Sequence, residues 1–195
     1  MQNVYNSIFR GDVEITRELV EHLDVNLPIQ VIPYIYKYGE GPVYITMLTI
    51  PMLEIQNIIN SPLIIHSSIP KVTKLIDMME YLFNQGCRLN INNEEEITTF
   101  MKIAAHTTRY YSERMDIIKR IHTSMLMNRE CGMYIVQCLL YGFNKDMLDI
   151  IVKYRQNIQE QIRNHEGSYI LIRSAAINGH YDVMKFLLEC GIYPD

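Results

Sequence analysis

A short pattern returns along this chain at a fixed interval, and no other feature restricts the possible folds as strongly. Asp149-Ile150-Ile151-Val152-Lys153 and Asp182-Val183-Met184-Lys185-Phe186 lie 33 residues apart, and Asp116-Ile117-Ile118-Lys119-Arg120 stands another 33 residues earlier. The stretch from Asp77-Met78-Met79-Glu80-Tyr81 to Gly86 supplies a fourth copy, and Gly11-Asp12-Val13-Glu14-Ile15 opens a fifth. Such a recurrence predicts a series of small supersecondary units, each unable to bury its apolar side alone and stable only when stacked on its neighbours.

Each repeated feature has a physical task. A glycine after the last turn of a helix can adopt the left-handed conformation that closes it. Gly86 and Gly191 hold that position after the second helix of their copies, whereas the first copy has His22-Leu23 there. A small residue on the first helix lets two helices approach closely, and Ala175 is matched by Gly142 one period earlier and by Ser7 near the start. Ile150, Ile151, Phe186, Leu187 and Leu188 form the stripe that would stack on adjoining units. The segment Ala175-Ala176-Ile177-Asn178-Gly179-His180, running on through Leu187-Leu188 to Gly191, resembles the ankyrin repeat. Thr98-Thr99-Phe100-Met101-Lys102-Ile103-Ala104-Ala105 resembles a weakened form of the same family's opening signature. Gly11 and Gly179 mark the corresponding turn between helices. The resemblance implies an all-α fold, an ankyrin-like solenoid of about five to six helix pairs with short hairpin fingers, the second and third pairs irregular. It gives His180 a structural role in hydrogen bonds between loops.

The pattern is uneven along the chain. Residues 1–195 read as a single ankyrin-repeat domain, with 1–27 a capping repeat, 28–70 degenerate repeats and 71–195 more regular ones. The middle segment contains Pro28, Pro33, Pro42, Pro51, Pro62 and Pro70. Proline is excluded from helix interiors, so short and interrupted helices are expected there. Val43–Ile50 and Leu53–Ile59 read as a degenerate helix pair, with Leu63–Ser67 opening the next. His106–Arg114 is extra relative to the last copy and reads as a longer turn between helices. The last copy is followed by no capping segment, so Phe186, Leu187 and Leu188 are expected as an exposed terminal stripe.

Composition narrows the chemistry. A net charge of −4 with no clustered Lys/Arg argues against a nucleic-acid partner. The first residues lack a basic region followed by an apolar run, and no stretch approaches the length of a membrane helix. The four cysteines, Cys87, Cys131, Cys138 and Cys190, have no framework spacing, which suits a reducing, intracellular and cytoplasmic setting. Cys131 and Cys138 are seven positions apart, with His122 and His165 elsewhere. That is not the tight pairing of a zinc site, so neither metal nor cofactor is expected. The chain carries no phosphate-loop, nucleophile-elbow or metalloprotease signature, and no enzyme is expected.

The residues that stand out suit recognition. Glu94-Glu95-Glu96 reads either as a solvated turn whose charges favour a helix N-terminus, or as an acidic finger for a basic partner surface. His106, Arg109, Tyr110 and Tyr111 fall in the inserted turn, and Tyr and Arg are enriched at binding hot spots. Tyr134, Gln137 and Tyr141 fall on the first helix of a repeat, where each serves either the core or the concave binding face. Four alanines and no tryptophan, beside abundant Ile, Asn and Tyr, suit an A/T-rich genome. With that usage the chain resembles the ankyrin proteins of large DNA viruses. The resemblance implies a non-enzymatic module that binds a host signalling or ubiquitin-pathway protein through its fingers and concave face. The alternative is a structural scaffold that self-associates through its last repeat.

Overall fold

A computed structural model of the chain describes residues 2–26, 29–31, 43–61, 69–110, 112–127, 145–153 and 168–194, together with Tyr134, Leu139, 159–160 and 162–163. These residues are predominantly helical and gather into two compact units, Met1–Asn90 and Ile91–Asp195. The sequence pattern treats 1–195 as one domain with divisions after 27 and after 70, so the division between Asn90 and Ile91 is a finding of the structure.

The first unit opens with helices α1 (Gln2–Arg10) and α2 (Val13–Val20), joined by a two-residue turn. Gly11 makes that turn with φ of 70°. Its amide donates to Ile8 O (3.0 Å) and that of Asp12 to Ser7 O (3.0 Å), satisfying the last carbonyls of α1. Asp12 then caps α2 by accepting from the Ile15 amide (3.2 Å). The small residue anticipated at Ser7 is buried where the two helices meet. The Thr16 hydroxyl, from α2, is shared between Asp12 O (2.7 Å) and Ser7 Oγ (3.0 Å), while Ser7 donates to Val4 O (2.9 Å).

The segment anticipated as a degenerate helix pair begins differently. Strands β1 (Ile29–Val31) and β2 (Val43–Ile45) form an antiparallel ribbon in the register Ile29↔Ile45, Gln30↔Tyr44 and Val31↔Val43. Val43-Tyr44-Ile45 is β-branched and aromatic, a composition that fits a pleated surface better than a helix, and Ile29 and Ile45 are both buried. One helix, α3 (Thr49–Asn60), follows and pairs with α4 (Ile69–Asn84). Among the described residues, 28–70 therefore contributes a ribbon, α3 and the start of α4. Leu63–Ser67 lies outside them. The prolines do not shorten these helices as expected, because Pro51 and Pro70 sit in first turns, where the missing N–H has no intrahelical partner. Helix α3 does stop ahead of Pro62, with Ser61 in the extended conformation that a residue before proline prefers.

Helix α1 packs on both α3 and α4, and α2 packs on α4, so one helix pair is stacked on the next. Val4, Ile8, Val20, Met52, Ile55, Leu75, Met79 and Leu82 make the shared core. A polar contact joins α3 to α4 at its edge. Buried Glu54 pairs with Lys71, whose ammonium lies 5.7 Å from the centre of the Phe9 ring, itself stacked on Tyr5 at 5.9 Å. Burial, with the Glu54 charge added, raises the Tyr5 hydroxyl above its ordinary pKa.

In the second unit Asn93 caps helix α5 (Glu94–Tyr110), its Oδ1 accepting from the amides of Glu95 (3.1 Å) and Glu96 (3.2 Å). A 3-10 turn (Ser112–Arg114) leads into α6 (Met115–Leu126). Helices α7 (Lys145–Lys153), α8 (Ser168–Ile177) and α9 (Tyr181–Glu189) follow. Helix α5 packs on α6, α6 on α7 and α8 on α9. The stretch anticipated as a loop from His106 to Arg114 is mostly helix, because α5 continues to Tyr110. The anticipated terminal stripe is also different. Phe186 and Leu187 are buried against the rest of the unit, and Leu188 alone of the three faces solvent, at 40% exposure.

Gly11→Ala and Gly86→Ala separate two costs of a left-handed glycine. At Gly86 (φ 94°) an added Cβ meets nothing within 4 Å, so the loss should be the backbone term alone, about 1–2 kcal/mol. At Gly11 the same Cβ comes within 3.2 Å of Lys74 Cβ and 3.3 Å of its carbonyl carbon. Urea unfolding should therefore show Gly11→Ala to be the more destabilising of the two.

Candidate functional site

The structure separates the residues that sequence placed together as binding candidates. Glu94, Glu95 and Glu96 form the first turn of α5, and Glu96 is only 1% exposed. A finger built from all three is thereby corrected, since a side chain turned into the core cannot meet a partner. Their position behind the Asn93 cap is that of negative charge at a helix N-terminus. Glu95 stays on the surface. Partial burial, and then the charge of Glu96, raise its carboxyl above the ordinary carboxylate range, with Lys102 pulling it back.

His106, Arg109 and Tyr110 lie on the last turns of α5 rather than on a loop, with their side chains outside the described set, as is Tyr111. Tyr134 is a core residue. Its ring is wholly buried, and its hydroxyl is hydrogen-bonded to Nδ1 of the equally buried His122 on α6, the rings tilted at 60° with centres 5.6 Å apart. That pairing makes Tyr134 a core residue rather than the binding residue expected of it, and gives His122 a partner other than a cysteine. Gln137, Tyr141, Cys131, Cys138 and His165 lie outside the described residues. Cys87 and Cys190 are buried and not disulfide-bonded.

The signature residues occupy structural positions. Ala104 and Ala175 are buried, Ala176 is exposed, and Ala105 lies within α5. Gly179 and Gly191 are left-handed, with φ of 69° and 79°, and carry the same pair of closing hydrogen bonds as Gly11 and Gly86. His180 is the residue before α9, where it makes no side-chain capping bond. Several loops are tied by side chains. The Asn26 amide donates to Gly86 O (3.2 Å) and accepts from the Arg88 amide (3.0 Å), and Cys87 Sγ donates to Val25 O (3.3 Å). In the second unit Gln159 Nε2 (3.3 Å) and Arg163 Nε both donate to Cys190 O at the end of α9.

Two surface features were not anticipated. On α8, Ile170, Arg173 and Ile177 share the face opposite the buried Leu171, Ile172 and Ala175. On α9, Tyr181, Lys185 and Leu188 lie opposite the buried Val183, Phe186 and Leu187. Ile177 and Tyr181 are each 74% exposed. Their helical spacing, i to i+7 on each helix, was present in the sequence, but it does not reveal which stripe faces inward. The second feature is a pair of hollows beside α2 and α4. The larger, about 570 Å³, is lined by Arg17, Glu18, Glu21, Asp24, Tyr81 and Gln85 among others. The smaller, about 310 Å³, lies between Arg10, Asp12 and Glu14 on one side and Lys74 and Asp77 on the other. The Arg17 guanidinium lies 5.9 Å from the Tyr81 ring centre. Burial raises the Tyr81 hydroxyl above its usual pKa; Arg17 works against that and Glu21 adds to it.

Among the described residues, no three His, Cys, Asp or Glu side chains stand in a metal-binding group, and no helix is long and apolar enough to cross a membrane. No family model, curated protein or solved structure matches the chain.

Two substitutions check these assignments. Tyr134→Phe removes the hydroxyl from a buried pair and should cost about 1–2 kcal/mol in chemical denaturation. A binding residue at that position would show no such loss. For Glu95, whose folded-state pKa is raised, ionisation opposes folding, and the associated stability is lost as pH rises through that pKa. Glu95→Gln should therefore raise the melting temperature slightly at neutral pH. The difference should shrink as pH falls toward 4.5, the unperturbed carboxylate value.

Proposed function

We propose that this protein is a non-enzymatic recognition module, a divergent ankyrin-like stack of helix pairs that binds another protein. The observation that carries the reading is the outward face of the last two helices. Helices α8 and α9 bury a full inner stripe, yet also present Ile170, Ile177, Tyr181 and Leu188 to solvent. Single exposed apolar residues are ordinary. Four on one helix pair, with Tyr181 and Ile177 flanking the turn, resemble the aromatic and aliphatic anchors of protein interfaces. The stacking of α1 and α2 on α3 and α4 supports the solenoid reading, as do the recurring glycine closures and the five motif copies on α2, α4, α6, α7 and α9.

The resemblance to ankyrin proteins of large DNA viruses makes a host protein the expected partner, met in the cytoplasm. The same exposed side chains favour a second reading, in which two copies of the chain pair through this surface.

The test compares the native chain with an Ile177→Glu/Tyr181→Glu variant. Both positions are exposed, so circular dichroism and melting temperature should change little. Affinity capture from eukaryotic lysate should return a specific protein with the native chain and lose it with the variant. Light scattering should show a monomer. Identical captured sets would remove this surface as the binding site. A dimer dispersed by the variant would establish self-association instead.

A further inference from the structure

The two hollows of the first unit follow one another along helix α4, and α2 with its flanking turns faces both of them, which outlines a groove between the two helices. Helix α4 lines them with Lys74, Asp77, Tyr81 and Gln85. These positions follow at intervals of three and four and therefore share one face. From Lys74 to Gln85 the groove runs about 16 Å at a helical rise. Helix α2 and its flanking turns supply the other wall, from Arg10, Asp12 and Glu14 at one end to Glu18, Glu21 and Asp24 at the other. Gly11 sits where the turn before α2 touches the backbone of Lys74, so the closeness of the two helices at that end is fixed by a missing Cβ.

The charge on this groove is one-sided. Its lining holds six carboxylates (Asp12, Glu14, Glu18, Glu21, Asp24, Asp77) against three cations (Arg10, Arg17, Lys74). One of the cations, Arg17, is drawn over the Tyr81 ring. Helices α2 and α4 both end beside the larger hollow, and helix C-termini add negative partial charge. Val13, Leu23 and the Tyr81 ring interrupt the carboxylates with apolar surface. A metal ion or a small amine would use only one end of so long a groove.

We infer that the groove between α2 and α4 binds a basic segment of a partner protein, seating one Lys or Arg in the larger hollow and a second toward the smaller. The two seats are about 11 Å apart along α4. An extended segment spans about 13 Å between residues i and i+4 on one side, which sets the spacing of its basic residues. Acidic recognition thus belongs to α2 rather than to Glu94–Glu96. This deepens the recognition reading by naming a partner chemistry. It concerns a different surface, and its test uses a defined peptide, so its failure leaves the result at Ile177 and Tyr181 standing.

The probe is a fluorescein-labelled, eleven-residue Gly/Ser peptide with arginine at its fourth and eighth positions, titrated by fluorescence anisotropy at physiological salt. Three chains are compared: native, Glu14→Lys/Glu18→Lys/Glu21→Lys in the groove, and Glu113→Lys/Asp149→Lys/Glu160→Lys on the other unit. All six positions are exposed, and both variants change net charge equally. Binding should fall roughly tenfold or more in the groove variant and by less than about twofold in the other. A parallel triple glutamine variant of the groove, closer in size and without added charge, carries the test if the lysine variant loses its circular dichroism spectrum. Absence of binding by the native chain, or equal losses in both lysine variants, would overturn the proposal, because bulk charge alone would then account for the peptide.

Discussion

A helix that turns back on its neighbour within two residues must still satisfy its last carbonyls, and the packed helix pairs here depend on how that is done. At Gly11, Gly86, Gly179 and Gly191 the chain enters the left-handed region, and two amide donors close each helix in the same way. Any residue with a Cβ would resist that conformation. Closure at Gly11 lets α2 fold back over α1 and brings Ser7 against Thr16. Closure at Gly179 does the same for α8 and α9, with Ala175 buried in the position of Ser7. After α2, which no glycine closes, the turn is made with ordinary backbone and an Asp24–Asn26 contact.

From that closure follows the way successive loops are joined. The turn after α2 places Asn26 so that its amide meets Gly86 O and the Arg88 N–H, as a neighbouring strand would. Arg88 in turn donates to Phe83 O and Cys87 O and lies over the Phe83 ring, 4.2 Å from its centre. The end of α9 is tied by Gln159 and Arg163 to Cys190 O. The two units use different side chains for one physical need, which is to give a carbonyl at a helix exit a hydrogen-bond donor. His180, the residue before α9, makes no side-chain capping bond.

Much of the helical layout was legible because it rests on local rules. The helices α1 and α2, the helical core at Leu53–Ile59, and the glycine exits all follow from spacing and from the conformational preference of one residue type. The ribbon at Val43–Ile45 was not legible, because a short apolar run has no periodicity long enough to separate strand from helix. Proline misled for a related reason. Its cost depends on whether it falls in the first turn or beyond, and that is a matter of where the helix starts. The binding candidates fared unevenly because polarity alone does not report orientation. Glu96 and Tyr134 both turn inward, Glu96 behind the Asn93 cap and Tyr134 onto His122, while Ile177 and Tyr181 turn outward.

The sequence by itself determined that the chain is mainly helical and where glycine closes a helix. These are properties of single residues and of their spacing. Tertiary structure alone decided which stripe of each helix is buried, since an amphipathic period leaves the inward face undefined until a neighbour packs on it. It also decided that α2 and α4 leave an acidic groove between them. Glu14, Glu18 and Glu21 stand as far as 71 residues from Tyr81 and Gln85 in sequence. Only the packing of α2 on α4 brings Glu18 and Glu21 to line one hollow with Tyr81 and Gln85, and Glu14 another with Lys74 and Asp77.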